Sequence, residues 1–215
     1  MKRKLTLVLL GFSCGLVATL TGLVASPTNL LGWVMVFVGV GYCFGGSLYL
    51  AFERRQAVRV EVGDRSLWAI APGALAVLFL PVLEYLFFPL ILDRTAIWQA
   101  AGLILIGLGI ALRMWVRLTL GRLYSGKLQV QMDHRLVTGG PYRFVRHPGY
   151  DGFLLEAIGL AVGFSSLLGV LAVLVLLTPG LVYRIKVEEK LLVDQFGEAY
   201  QRYARQTKRL VPGIY

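Results

Sequence analysis

The run Arg146-His-Pro-Gly-Tyr-Asp-Gly152 sets a guanidinium, an imidazole, a phenol and a carboxylate side by side. After an apolar stretch from Phe153 to Tyr183, Arg184-Ile-Lys-Val-Glu188-Glu189 adds a second guanidinium and paired carboxylates. A guanidinium can grip a carboxylate with two parallel bonds, and the imidazole and carboxylates can hold the polar end of a small molecule. Arg184 and Glu188 stand four apart and share a helix face, so by themselves they also fit an exposed intrahelical ion pair of small value. His147 can serve as a general base or as a binding group; only an acceptor that must lose a proton needs the base. Two such clusters bracketing one apolar stretch read as the halves of a single pocket.

The elements that position these groups belong to a membrane protein. Of 215 residues, 57% are hydrophobic and 16% charged, more apolar surface than a water-soluble globule can hide. A net charge of +10 would suit nucleic acid, but the Lys and Arg residues fall in the gaps between apolar runs and build no continuous basic face. Nucleic-acid binding is therefore not expected. Cys14 and Cys43 have no metal-ligand spacing and fall inside apolar runs, so they read as packing residues, and no metal site is expected. Met1-Lys-Arg-Lys4 and the run that follows read as a first membrane span rather than a cleaved leader, because the run is long and no lipobox precedes Cys14.

Four spans are expected at Leu5–Ala25, Leu30–Phe52, Leu67–Leu92 and Ala96 to about Leu118. The third carries Pro72, Pro81, Pro89 and the acid Glu84, and is expected to be kinked or broken. Glu84 itself reads either as a functional intramembrane acid or as a group near the membrane edge. The 31 residues from Phe153 to Tyr183 would measure roughly 46 Å as one helix, too long for one upright span. Gly163-Phe-Ser-Ser166 interrupts them, so a helical hairpin is expected. The basic regions at the N-terminus, at Arg54–Arg65, at Arg113–Arg146 and at Arg184–Arg209 then all lie on the cytoplasmic side. The fold class is all-α integral membrane, with six transmembrane helices and both termini cytoplasmic. Residues 1–215 form a single membrane domain, with four helices over 1–118 and a core over 119–212.

Between the fourth span and the hairpin, Gly121 to Asp151 is the longest non-apolar segment. Gly139-Gly-Pro141 and Pro148-Gly149 mark turns in it. After the hairpin, Val187, Leu191, Leu192, Phe196, Tyr200 and Tyr203 recur at helical spacing and predict an amphipathic helix at the membrane surface.

Together, Arg-His-Pro-x-Tyr-x-Gly at 146–152, an apolar hairpin and Arg-x-x-x-Glu-Glu at 184–189 resemble the isoprenylcysteine carboxyl methyltransferases and the related membrane phospholipid N-methyltransferases. His134-Arg-Leu-Val137, Gly140-Pro-Tyr142, Phe196-Gly197-x-x-Tyr200-x-x-Tyr203 and Arg209-Leu-Val-Pro212 extend the resemblance over about residues 115 to 212. The first helix looks like an addition to a five-helix family core. The resemblance implies S-adenosyl-L-methionine as methyl donor, contacted by His134, Arg135, Leu136, Val137, Tyr142, His147, Pro148, Gly149, Tyr150 and Glu188. Gln129 is a further contact by the same argument, although the loop before His134 differs in length. Arg184 matches the position that holds the acceptor carboxylate.

The expected function is methyl transfer to the carboxylate of a prenylated or lipid-like acceptor within a lipid membrane, the plasma or inner membrane of a prokaryote or the endoplasmic reticulum of a eukaryote. Methylation of a phospholipid amine or a thiol is the alternative within the class. Outside it stand a membrane reductase using NADPH, which the short chain disfavours, and a noncatalytic transporter or scaffold, suggested by the proline-rich span and Glu84.

Overall fold

The computed structural model describes residues 58–61, 66–87, 95–125, 129–131 and 135–210. The expected spans Leu5–Ala25 and Leu30–Phe52, both cysteines, Pro89 and His134 lie outside the described residues.

The described chain is helical apart from one short ribbon. Helix α1 is Ser66–Phe87. Helix α2 is Ala96–Leu120, extended by a 3-10 turn at Gly121–Leu123. A second 3-10 turn, Gly140–Arg143, leads into α3, Pro148–Gly163. Helix α4 runs unbroken over Leu167–Phe196 with a π turn at Val173–Leu177, and α5 is Glu198–Gln206. Strands β1 (Val58–Glu61) and β2 (Gln129–Gln131) pair antiparallel, with Val60 opposite Val130 and Glu61 opposite Gln129. This ribbon ties the segment before α1 to the polar stretch after α2, where alternating Gln-Val-Gln suits a strand.

Among the described residues, two helical stretches are long and apolar enough to cross a membrane, Ala96–Leu123 and Leu167–Phe196. Their surroundings fit that solvent. Trp68, Ile97 and Leu118 are each more than 70% exposed, which water would penalise and lipid would not.

The apolar stretch after Phe153 divides where its small and polar residues stand. Helix α3 ends at Gly163 and α4 starts at Leu167, with Ser165 in the left-handed region at φ 51°. Helix α3 begins earlier than the apolar stretch itself, because Pro148 occupies its first position, where a missing N–H costs nothing and the ring presets φ. Pro148-Gly149 is thus the opening turn of a helix and not a separate turn before it.

Close approach of backbones organises the bundle. A Cβ on Gly102 of α2 would lie 2.5 Å from the Gly163 Cα of α3, and one on Gly109 would lie 2.6 Å from the Gly152 carbonyl oxygen. These glycines form a seam of the kind that lets helices touch in lipid, where no hydrophobic force drives them together. Beside the seam, Arg113 donates to Glu156 at 2.7 Å, so the acid buried on α3 has a cation across the crossing. On the other side, α1 and α4 meet where a Cβ on Gly73 would lie 2.5 Å from Leu177. Val77, Ile106, Leu160, Leu177 and Leu181 fill the space between the helices.

Helix α1 continues through both Pro72 and Pro81 rather than breaking. Pro81 is fully buried, and a Cβ on Gly169 of α4 would lie 2.7 Å from its ring. Packing against a neighbouring helix therefore holds the proline inside α1.

Glu84 has a structural task. Its carboxylate accepts from the Ser166 hydroxyl at 2.6 Å, the Leu168 N–H at 2.8 Å and the Leu167 N–H at 3.2 Å. The Ser166 hydroxyl oxygen in turn accepts from the Gly169 N–H at 2.8 Å. The free amides at the start of α4 are thus satisfied from α1, and a carboxylate there also favours the positive end of the helix dipole. Glu84→Ala leaves those donors buried without partners and should destabilise the protein by about 2–4 kcal/mol, with Glu84→Gln losing about half as much. Thermal unfolding in detergent checks this; equal midpoints for wild type and Glu84→Ala would contradict it.

Candidate active site

The first turn of α3 and the part of α4 beyond the apolar stretch build the site. Tyr150 stands in the first turn of α3, and its hydroxyl donates to Glu188 Oε2 at 2.8 Å while accepting from Arg184 Nε at 2.8 Å. Arg184 and Glu188 therefore interact through a phenol from the neighbouring helix, not only as a pair along their own. Arg184 is 4% exposed, and its Nη1 reaches the Ser66 hydroxyl at the start of α1 at 3.2 Å. A guanidinium buried this deeply needs such partners, and they also fix the direction of its fork.

His147 precedes Pro148 and stacks on Tyr150 with ring centroids 5.8 Å apart. Its Nδ1 lies 3.8 Å from Glu188 Oε2 and its Nε2 lies 3.6 Å from Glu189 Oε1. Those distances exceed hydrogen bonds, and Nε2 is buried without one. The Tyr200 hydroxyl on α5 is a second buried polar atom without a partner. Tyr142, in the 3-10 turn, has a phenol whose pKa is pushed up by burial and then by the charge of the nearby Glu188. Its backbone carbonyl accepts from the Tyr203 hydroxyl at 2.6 Å.

Glu189 holds the end of the chain against this cluster. Arg146 Nε donates to its Oε1 at 2.8 Å, and Arg209 Nε donates to its Oε2 at 2.8 Å. Arg146 Nη1 also donates to the carbonyls of Ala204, at 2.6 Å, and Thr207. Beside these bonds, the Arg146 N–H meets the Lys208 carbonyl at 2.8 Å and the His147 N–H meets the Arg209 carbonyl at 3.0 Å, a short parallel bridge. Burial alone would raise the Glu189 pKa, but the nearby His147 ring, the bond from Arg209 and the charge of Arg146 outweigh it and hold the carboxyl at about 2.

The tail thus differs from one amphipathic helix. Arg184 to Phe196 continues α4, and Gly197, with φ 53°, turns the chain so that α5 folds back. That turn buries Tyr200 and Tyr203 beside the site.

Of the residues expected from the sequence, Tyr142, His147, Tyr150, Arg184 and Glu188 come together, with Pro148 and Gly149 forming the helix turn between them. Arg135 is exposed and Leu136 and Val137 half-buried in the loop before Gly139, and Gln129 lies in β2. Arg146 and Glu189 of the two polar runs join them, as do Ser66, Tyr200 and Arg209, which were not read as binding residues. The charged ones among these were visible as residues of the two polar runs or the tail; Ser66 carries no sequence signal.

A family model described as the isoprenylcysteine carboxyl methyltransferase (ICMT) family matches residues 101–194. Protein-S-isoprenylcysteine O-methyltransferase B of Arabidopsis thaliana is 35% identical over 197 residues, covering 88% of this chain and 97% of the relative. The protein-S-isoprenylcysteine O-methyltransferase of Schizosaccharomyces pombe is 31% identical over 140 residues, 63% of this chain and 59% of that one. Two rice relatives named as probable protein-S-isoprenylcysteine O-methyltransferases are 34% identical over 115 residues, and the match spans only 60% of their length. Among solved structures, the eukaryotic intramembrane Ras methyltransferase ICMT superposes with a TM-score of 0.60 at 24% identity, over 92% of this chain and 73% of that one, and shares its fold. The chain belongs to the isoprenylcysteine carboxyl methyltransferase family.

Proposed function

We propose that this chain is an integral membrane methyltransferase that uses S-adenosyl-L-methionine to esterify the carboxylate of a prenylated, lipid-like acceptor. The observation that carries the reading is the Tyr150 hydroxyl, bonded to both Arg184 and Glu188: one cation and one anion are held side by side at the edge of the apolar bundle. The names of the Arabidopsis and fission yeast relatives support the same class of acceptor.

The residues fit the methyl donor. Its amino acid end carries both an ammonium and a carboxylate, and its ribose carries hydroxyls. Glu188 can accept from the ammonium or the ribose, while His147 Nε2 and the Tyr200 hydroxyl are buried polar atoms still lacking partners. In this reading Gln129, His134, Arg135, Leu136 and Val137 contact the donor, and Tyr142, Pro148 and Gly149 close the wall. When bound, S-adenosyl-L-methionine supplies a methyl group already activated on a sulfonium. What remains for the protein is alignment and exclusion of water. Arg184 holds the acceptor carboxylate with its fork while Tyr150 and Ser66 keep that fork from turning. A carboxylate nucleophile is already ionised, so His147 binds and orients and need not take a proton.

The topology that serves this chemistry has six membrane helices in a single domain, with the loop before α3 and the tail after Tyr183 in the cytosol. The donor reaches the site from the cytosol and the acceptor from the membrane. Amine or thiol methylation uses the same donor site with a different acceptor. Titration in detergent separates these readings from a reductase or a scaffold: S-adenosyl-L-methionine and S-adenosylhomocysteine should bind and NADPH should not. Binding of NADPH alone, or of none of the three, would overturn the proposal.

A further inference from the structure

A cavity of about 260 Å³ opens between the residue that starts the Arg-His-Pro run and the turn after α5. Arg146, Arg205, Lys208 and Arg209 line it together with Gln206 and Thr207, and no carboxylate is among its lining residues. Glu189 stands behind Arg146 and Arg209 and offsets part of their charge. Arg205 and Lys208 are exposed. The carbonyls of Ala204 and Thr207 at the end of α5 would repel an anion, but both already accept from Arg146 Nη1. The Arg146 side chain is 10% exposed and pinned by these bonds, so the cavity is lined by a buried, fixed cation, by Arg209 paired with Glu189, and by the exposed Arg205 and Lys208. Arg146 is also two residues before Pro148, where α3 begins its path into the apolar bundle.

We infer that this cavity binds a phosphate group. Guanidinium and ammonium groups converging on a small open volume match the tetrahedral, multiply accepting phosphate better than any neutral ligand. Its position beside the start of α3 puts it within reach of lipid headgroups, whose phosphates are dense there, while its opening also admits phosphate from solution. The inference does not depend on the proposed reaction.

The test uses the full chain and the double variant Arg205→Gln/Lys208→Gln, whose side chains take no part in the cluster around Tyr150. One arm titrates inorganic phosphate into protein in phosphate-free detergent by calorimetry. The other compares thermal midpoints in the same phosphate-free detergent with and without added phosphatidylglycerol. Wild type should bind in at least one arm, and the double variant should bind roughly thirtyfold more weakly there, since two basic contacts are lost. A response to inorganic phosphate assigns the group to solution, and a response to phosphatidylglycerol alone assigns it to lipid. Binding of S-adenosyl-L-methionine unchanged within about twofold shows that the variant is folded. Equal behaviour of wild type and double variant in both arms, or displacement of phosphate by S-adenosyl-L-methionine, would overturn the inference.

Discussion

Arg184→Ala should lower kcat/KM for a carboxylate acceptor by about a hundredfold to a thousandfold while leaving the Kd for S-adenosyl-L-methionine within about threefold. The size follows from what is removed: a buried fork that can make two charge-assisted bonds at once. Arg184→Lys should recover little of the loss. A lysine keeps the charge but presents a point rather than a plane, and it cannot reach both the Tyr150 oxygen and Ser66 while also holding an acceptor. Removing a buried charge can also disturb folding, so the lysine variant matters: if it is folded, binds the donor and still turns over at the wild-type rate, Arg184 has no directional role. Ser66→Ala should act in the same sense but weakly, raising the acceptor KM with kcat little changed.

The second large effect concerns Glu189, which lies past the end of the apolar stretch. Glu189→Gln should weaken S-adenosyl-L-methionine binding by at least about tenfold and lower the unfolding midpoint, because Arg146 and Arg209 lose the carboxylate that both of them hold. Without it the strap of Thr207 to Arg209 has only its backbone bridge to keep it against His147. The pH dependence has a definite sign. The folded carboxyl titrates near 2 and the unfolded one near 4.5, so between those values the unfolded chain binds more protons. The contribution of Glu189 to stability is therefore present above pH 4.5 and is lost as pH falls towards 2. Unfolding midpoints measured across that window should fall more steeply for wild type than for Glu189→Gln. Parallel curves would mean that the carboxylate is not held as described.

What the sequence made legible was local. The break at Gly163–Ser166 could be read because small and polar residues stand out in an apolar run, and the convergence of His147, Tyr150, Arg184 and Glu188 followed once that run was folded back on itself. What it hid was set by distant partners. Glu84 bonds the N-cap Ser166, 82 positions further on, so the sequence alone could not distinguish a cap from a functional acid or a group near the membrane edge. Pro72 and Pro81 suggested a kink or a break because their effect was judged on one helix, which in fact runs on through both, with Pro81 packed against Gly169 of another. The tail kept its apolar period through Gly197, and only the left-handed backbone there shows that α5 turns away from α4. Arg146 stood in the most conspicuous run of the chain, yet its bonds to Ala204 and Thr207 depend on that turn.

Methyl transfer itself tests the central claim most directly. The purified chain in liposomes would be incubated with S-adenosyl-L-methionine labelled on its methyl group and an S-prenylcysteine bearing a free carboxylate. Label should appear in the acceptor as a methyl ester, released as methanol by mild base, and should be absent when the carboxylate is amidated beforehand. No transfer to the acceptor by protein that binds the donor, or label that resists base, would contradict carboxyl methylation.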